Sequence, residues 1–516
     1  MSTSQSLIAR RRSLFLRVHF WAALIASPFA ILAALTGLLY VFTPQIEAAL
    51  YAHLDRVVAT GQQRPLDEAV RAAEAAAPAD QHLRTVVVPG SADRSVQVVF
   101  GPARNALGTA SAGDGGHAGH GAPAAAATPA QSGDAGQAAH AGHAGHADHA
   151  AHADHAGHAG HAGHAAPADD AAKPPVPVMP VVNVTSTTVS GDRTPRGMVV
   201  YVDPYTARVL GSQAEMERFS TWSKRLHSSL LQGDGWRWMI ELSASWLMIM
   251  LLTGIYLWWP RGQARVLPDG SARGRAAWKQ WHGLIGVLLS VMSLAILTTG
   301  LTWSRHAGEQ IRAFRDAIGQ APAAAPKGLQ SMRGEGQQPL SWDAVLQAGR
   351  KAAPDITLLL TPPRNEQGVW RIASSEQTAP AKKINLTLDA YSGRTLYQAG
   401  WDQQTLFSKG TAIGIPFHRG EFGWWNQALL FLFGAGVLAS LASGWVMFVL
   451  RLRRGSAALP RLLPGAWISM PVGGWLAAAI LLAAMPLFSW SAAVVVVLEI
   501  ALAWRDRTAR MVLAQG

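Results

Sequence analysis

Residues Trp238–Trp259 read WMIELSASWLMIMLLTGIYLWW, with Glu241 as their one charged side chain. A helix needs about 20 apolar residues to cross a hydrocarbon core roughly 30 Å thick. This stretch meets that requirement and sets the fold class: an α-helical membrane protein. Comparable runs lie at 16–43, 281–303 and 425–450. A shorter pair follows at 470–488 and 490–504, with Pro486 and Ser489 leaving only a tight turn between them. Arg10, Arg11 and Arg12 precede the first run in the manner of a secretory signal. Its apolar stretch is too long for one and no small-residue cleavage site ends it, so it reads as an anchor.

The 516 residues carry a net charge of +12, and where that charge lies excludes nucleic acid as the partner. Arg10, Arg11, Arg12 and Arg17 flank the first span. Arg261, Arg265, Arg273, Arg275 and Lys279 fill the short loop 260–280. Arg451, Arg453, Arg454 and Arg461 follow the fourth span, and Arg505, Arg507 and Arg510 close the chain. These are alternate sides of an even-numbered bundle. The positive-inside rule then places both termini in the cytoplasm and the loops 44–237 and 304–424 outside. Trp236, Trp238, Trp258, Trp259, Trp303 and Trp424 suit aromatic belts at the lipid interfaces. The chain has no cysteine. That excludes disulfides, Cys-ligated clusters and covalent c-type haem attachment.

The two outer loops share one plan. In 44–237, a helix opens at Leu66-Asp67-Glu68 and ends near Pro78. Strands are expected at Leu83–Val88 and Ser95–Phe100, then a hairpin from Met198 to Leu210 turning at Asp203-Pro204-Tyr205. In 304–424, a helix opens at Trp342-Asp343-Ala344 and ends near Pro354. Strands are expected at Ile356–Leu360 and Val369–Ala373, then a hairpin from Ile384 to Leu396 turning at Asp389-Ala390-Tyr391. Each loop is thus a small α+β module, and the first carries an insertion at 101–192. The domain order is 1–43, 44–237, 238–259, 260–280, 281–303, 304–424, 425–450 and 451–516, the last holding a basic loop, the helical pair and a tail.

The spans repeat as well. Thr36-Gly37, Thr253-Gly254, Thr299-Gly300 and Ser443-Gly444 each place a hydroxyl and a glycine in a span. His19 lies 18 residues before Gly37, and His282 lies 18 before Gly300. His227 lies 27 before Gly254, and His418 lies 26 before Gly444. Span–module–span therefore occurs twice, as a parallel repeat about an axis along the membrane normal. Two readings fit the glycines: close helix packing, or admission of a flat cofactor.

Histidine beside a bilayer is costly unless it is paired or holds a cofactor. Eighteen residues of helix cover roughly 27 Å. His19 and His282 therefore share the cytoplasmic depth, while His227 and His418 share the outer depth. Two imidazoles at one depth about one axis suit axial ligation of a haem. Two such pairs imply two b-type haems and a route for electrons across the bilayer, from a cytoplasmic or membrane donor to an outside acceptor. His306 is a rival for an outer position, but it has no counterpart in the first repeat. No flavin or nucleotide fingerprint appears on the cytoplasmic side, so the donor is another reductase, a quinol or a soluble reductant.

Four motifs carry a resemblance. They are Leu226-His227-Ser228-Ser229-Leu230-Leu231, Leu252-Thr253-Gly254-Ile255-Tyr256-Leu257-Trp258-Trp259-Pro260-Arg261, Trp281-His282-Gly283 and Pro416-Phe417-His418-Arg419-Gly420-Glu421-Phe422-Gly423. With them, over about 13–455, the chain resembles the PepSY-associated transmembrane family, which includes inner-membrane ferric-siderophore reductases. The two outer modules resemble PepSY domains. The resemblance implies a membrane-bound metalloreductase of the bacterial inner membrane, acting on a ferric chelate in the periplasm. It also implies that His19, His227, His282 and His418 are haem ligands. The insertion and the final helical pair are not part of the family core.

Inside the insertion stand His117, His120, His140, His143, His146, His149, His152, His155, His158, His161 and His164, the last nine at three-residue spacing. Their Ala/Gly background cannot build a core and is expected to be disordered. Imidazoles suit Cu, Ni, Zn or Fe. The tract reads either as a metal-gathering tether beside the outer haem or as an expanded linker. Three functions thus stand: a transmembrane haem reductase of a metal complex, a metal uptake or storage protein without redox chemistry, and a PepSY-type sensor or regulatory module. The second is weakened by the scarcity of acids in the spans, where only Glu241 and Glu499 occur. The third lacks any catalytic motif of its own.

Overall fold

The computed structural model describes residues 3–102, 197–259, 267–375, 378–455 and 459–515. The histidine tract, Arg261 and Arg265 lie outside the described residues. Among the described residues five helices are long and apolar enough to cross a membrane. The four of the repeated plan are α1 (Thr3–Val41), α6 (Trp238–Trp258), α7 (Arg275–Leu301) and α11 (Trp424–Leu452). Their apolar cores fall where the sequence places them. The ends of α1 and α7 extend further on the basic side, because arginine- and lysine-rich flanks continue a helix well in water.

The final pair is α12 (Val472–Ala484) and α13 (Pro486–Gln515). The break falls at Met485, not at Ser489, because Pro486 takes the first position of α13, where its missing N–H costs nothing. Thirteen residues of α12 span roughly 20 Å, short of a hydrocarbon core. Ser469 accepts a hydrogen bond from Arg11 Nε just before α12 starts. Met485 is buried beside Leu301 and Ala307 at its end. The hairpin therefore runs from the basic end of the bundle to the opposite end and back. On its return, Glu499 receives Arg17 Nε at 2.6 Å and Nη2 at 3.0 Å, with the Trp21 indole also donating to it. The second acid, Glu241, is also fully used. It is 1 % exposed and accepts the backbone N–H groups of His306 and Ala307, which cap α8 (His306–Ala317).

Short helices link the spans to a sheet. They are α2 (Thr43–Leu50), α3 (Ala52–Asp55) and α5 (Phe219–Ser229) in the first half, and α8 and α10 (Leu406–Arg419) in the second. Beyond them lie α4 (Leu66–Ala76), α9 (Trp342–Ala352) and eight strands. The strands are β1 (Gln81–Val88), β2 (Val96–Pro102), β3 (Met198–Val202), β4 (Val209–Ala214), β5 (Leu358–Thr361), β6 (Val369–Ser374), β7 (Asn385–Asp389) and β8 (Thr395–Ala399).

The two modules are not separate bodies. They form one antiparallel sheet ordered β4-β3-β2-β1-β5-β6-β7-β8. The join is β1 against β5, with Val86 opposite Leu360 and Val88 opposite Leu358. One face of the sheet buries a shared core: Val70, Val98 and Val200 from the first half, Val345, Leu360 and Ile372 from the second. The N-termini of α4 and α9 meet across the join. Asp343 accepts the N–H groups of Leu66 and Asp67, and Asp67 accepts those of Trp342 and Asp343. Each half thus supplies the carboxylate that satisfies the other half's orphan helix donors.

The hairpin turns are built alike. Asp203 caps the N–H of Tyr205, whose hydroxyl donates to the Ala92 carbonyl. Asp389 caps the N–H of Tyr391, whose hydroxyl donates to the Glu366 carbonyl.

Candidate functional site

The four sparse histidines come together as two pairs. His19 on α1 faces His282 on α7 with ring centroids 6.2 Å apart and planes at 86°. His227 on α5 and His418 on α10 lie near enough to influence each other electrostatically. Burial, then the neighbouring His418, lowers the His227 imidazole to about 4. Burial, helped by Arg419 and opposed by a hydrogen bond to Ile296, lowers His418 to about 4 as well. Both are neutral at physiological pH, the form in which imidazole binds metal.

Each ring is fixed at Nδ1 by a hydroxyl–glycine pair of another helix. His19 Nδ1 lies 2.9 Å from the Met250 carbonyl and 3.2 Å from Thr253 Oγ1. His282 Nδ1 lies 3.0 Å from the Ser440 carbonyl and 2.9 Å from Ser443 Oγ. His418 Nδ1 lies 3.1 Å from the Ile296 carbonyl and 3.1 Å from Thr299 Oγ1. His227 Nδ1 lies 3.0 Å from Thr36 Oγ1. The four hydroxyls spend their own protons on carbonyls of their helix: Thr36 on Leu32, Thr253 on Ile249, Thr299 on Ala295 and Ser443 on Ser440. They are left as acceptors, so Nδ1 is the donor in every ring. The lone pair is then on Nε2, aimed away from the anchoring helix.

The glycines next to these hydroxyls make room for the rings. A Cβ at Gly254 would stand 3.2 Å from His19 Cε1, at Gly37 3.4 Å from His227 Cε1, at Gly300 3.4 Å from His418 Cε1, and at Gly444 3.7 Å from His282 Cε1. The partner of each histidine is therefore not the glycine counted along its own span. His19 meets Gly254 rather than Gly37, and His227 meets Gly37 rather than Gly254. Equal spacing along the chain reflects the repeat, whereas contact is made between helices. Of the two readings of the glycines, the contact fits neither alone: they pack against an imidazole, not against a helix backbone.

The arrangement fits a bis-imidazole metal centre. A metal–imidazole bond is about 2 Å, so two rings on opposite sides of one metal have centroids roughly 6 Å apart. The His19–His282 pair has that spacing. Among the described residues no group of three or more His, Asp or Glu gathers to hold a bare ion. Beside the His19–His282 pair, Leu247, Met250, Gly286, Leu289, Val437 and Ser440 line an apolar gap between α6, α7 and α11. The two pairs are separated along α1 by the 18 residues from His19 to Gly37, roughly 27 Å. His306 opens α8, where its backbone is held by Glu241.

Sequence reasoning missed the buried cluster around Arg218, at the start of α5. Its guanidinium donates to Glu47 Oε2 at 2.6 Å, to Asp55 through two nitrogens, and to the Tyr201 hydroxyl at 2.9 Å. It also stacks over Tyr51 at 4.8 Å. This cluster ties α2, α3 and the sheet to the helix that carries His227. Nothing in the local pattern around Arg218 announces it, because its partners come from 17 to 171 residues away.

Residues 16–451 match the family model described as the PepSY-associated TM region. No curated protein matches the chain significantly.

Proposed function

The chain belongs to the PepSY-associated transmembrane family, and from that premise we propose that it is a membrane haem-b electron-transfer protein that reduces a ferric chelate, of the siderophore class, outside a bacterial inner membrane. One observation carries the reading. Two pairs of Nδ1-anchored imidazoles stand at two levels of one helical bundle, and the rings of His19 and His282 lie 6.2 Å apart, close enough to hold one metal between them. A haem held by two imidazoles supplies one-electron transfer and leaves no position open for oxygen.

The protein's own part is positional. His19 and His282 would hold a haem at the basic end of the bundle, and His227 and His418 a second one at the sheet end. Thr253, Ser443, Thr36 and Thr299 hold the tautomer and the ring orientation, which raises ligand basicity. The apolar walls of α1, α6, α7 and α11 exclude water from the levels between. In this reading the basic end faces the cytoplasm with both termini, and the sheet lies in the periplasm. With haem held at both levels, a quinol or a reductase would be the donor at the His19–His282 level and a ferric chelate the acceptor at the His227–His418 level of a membrane-bound metalloreductase.

The test is anaerobic. Purified protein is reduced with dithionite, freed of excess reductant, and mixed with a ferric chelate in the presence of a ferrous-specific chromophore. The reduced haem bands are expected to decay as the ferrous chromophore appears. Reduced bands that persist in the presence of the chelate would sink the reductase reading.

A further inference from the structure

The two halves share a sheet but differ on its second face, the one turned away from the common core. On β3, Val199 and Tyr201 point to that face while Val200 and Val202 enter the core. On β7, Thr387 holds the position of Tyr201: both lie two residues before the turn aspartate, Asp203 or Asp389. The neighbouring strands agree, since Tyr201 pairs with Gln97 and Thr387 with Arg371.

In the first half the face is filled. Tyr201 is 0 % exposed beneath Leu54 and Tyr51, and its hydroxyl is held by Arg218. In the second half the same place is an open pocket of about 140 Å³, lined by Pro326, Lys327, Leu329, Val369, Arg371 and Thr387. Its outer wall, the segment 325–329, is pinned at both ends. Thr405 Oγ1 donates to the Gln320 carbonyl before it. After it, Ser331 Oγ donates to the Gly368 carbonyl and the Met332 N–H donates to Asp389.

The chemistry of the lining is one-sided. Lys327 and Arg371 approach from opposite walls, and neither forms an ion pair among the described residues. The nearby carboxylate, Asp389, is occupied by the backbone of Tyr391, Ser392 and Met332. Thr387 adds a hydroxyl, and Val369, Leu329 and Pro326 add an apolar floor. We propose that this pocket binds a small carboxylate-rich ligand, with Arg371 and Lys327 as its counter-charges. Arg371 takes a carboxylate through its planar fork and Lys327 through a point charge. The inference stands apart from the redox reading, since the pocket is formed whether or not the imidazole pairs hold haem.

The source of such a carboxylate is either a free organic acid or a metal chelate of one, so the test has two arms. The full chain in detergent is titrated calorimetrically with citrate alone and with ferric citrate. Saturable binding at one site is expected in at least one arm, and the tighter arm identifies the source. Arg371→Gln is expected to weaken it about tenfold, with Lys327→Gln a smaller loss, and added salt should weaken binding further. Thr387→Tyr, which copies the first half, should abolish it. Arg371 is exposed, so its variant keeps the fold and gives an answer even if Thr387→Tyr does not. Binding that is absent from the wild-type chain in both arms, or unchanged in Arg371→Gln, would overturn the proposal.

Discussion

The first half of the sheet closes its second face with Tyr201 and the Arg218 cluster; the second half leaves that face open beneath Lys327 and Arg371. The halves agree wherever they meet. They share the apolar core, the reciprocal Asp67–Asp343 caps and the His19–His282 pair. They diverge where they do not touch each other. Constraint in a duplicated protein follows contact between the copies, and freedom to acquire a new surface begins one strand face away.

The largest break in this comparison is expected at Arg218. Arg218→Met leaves Asp55 and Glu47 buried without a counter-charge, which costs about 3–5 kcal/mol. Denaturant unfolding followed through the sheet should show it. Arg371→Gln, on the open face, should move the same transition by less than about 0.5 kcal/mol. Equal losses would mean that the two faces do the same structural job.

A middle-sized difference is expected at the turns. Asp389 accepts from Tyr391 N, Ser392 N, Ser392 Oγ and Met332 N, and this set holds its carboxyl down to about 2 against burial. Asp203 accepts from Tyr205 N and Thr206 Oγ1. A depressed carboxylate contributes stability that is fully present above its unfolded pKa, near 4, and is lost as pH falls toward 2. Asp389→Asn should therefore lower stability at neutral pH and flatten the acid limb between pH about 4 and 2. Asp203→Asn should cost less. An acid limb left unchanged by Asp389→Asn would remove this turn from the account.

The smallest difference lies between the two histidine seats at the basic end. A methyl at Gly254 would press on His19 at 3.2 Å, whereas one at Gly444 would meet His282 at an ordinary 3.7 Å. Gly254→Ala is expected to shift the absorbance or midpoint potential of that centre, and Gly444→Ala to leave both nearly unchanged. The reverse order would contradict the assignment of these glycines to imidazole room.

Much of this was legible in the chain. Apolar length marked α1, α6, α7 and α11, and alternation marked most strands to within two or three residues. The repeated spacing of His19, His227, His282 and His418 singled out the residues that pair. Three things were not legible. The β1–β5 join needs two strands more than 250 residues apart to share an edge, and an unpaired edge leaves no mark in a strand's pattern. The crossing of each histidine to the glycine of another helix is a matter of helix packing, while the sequence records only distance along one helix. The short helices α5 and α10 are amphipathic rather than apolar, so a search for spans passes over them, although they carry His227 and His418.

The central claim is that these four histidines form two haem sites. It is tested most directly by counting haem in the purified chain and in single variants, with oxidised and reduced spectra. Two low-spin b-type haems per chain are predicted, falling to one in His282→Ala and to one, spectrally different, in His418→Ala. A chain without haem bands, or two haems retained in either variant, would contradict it.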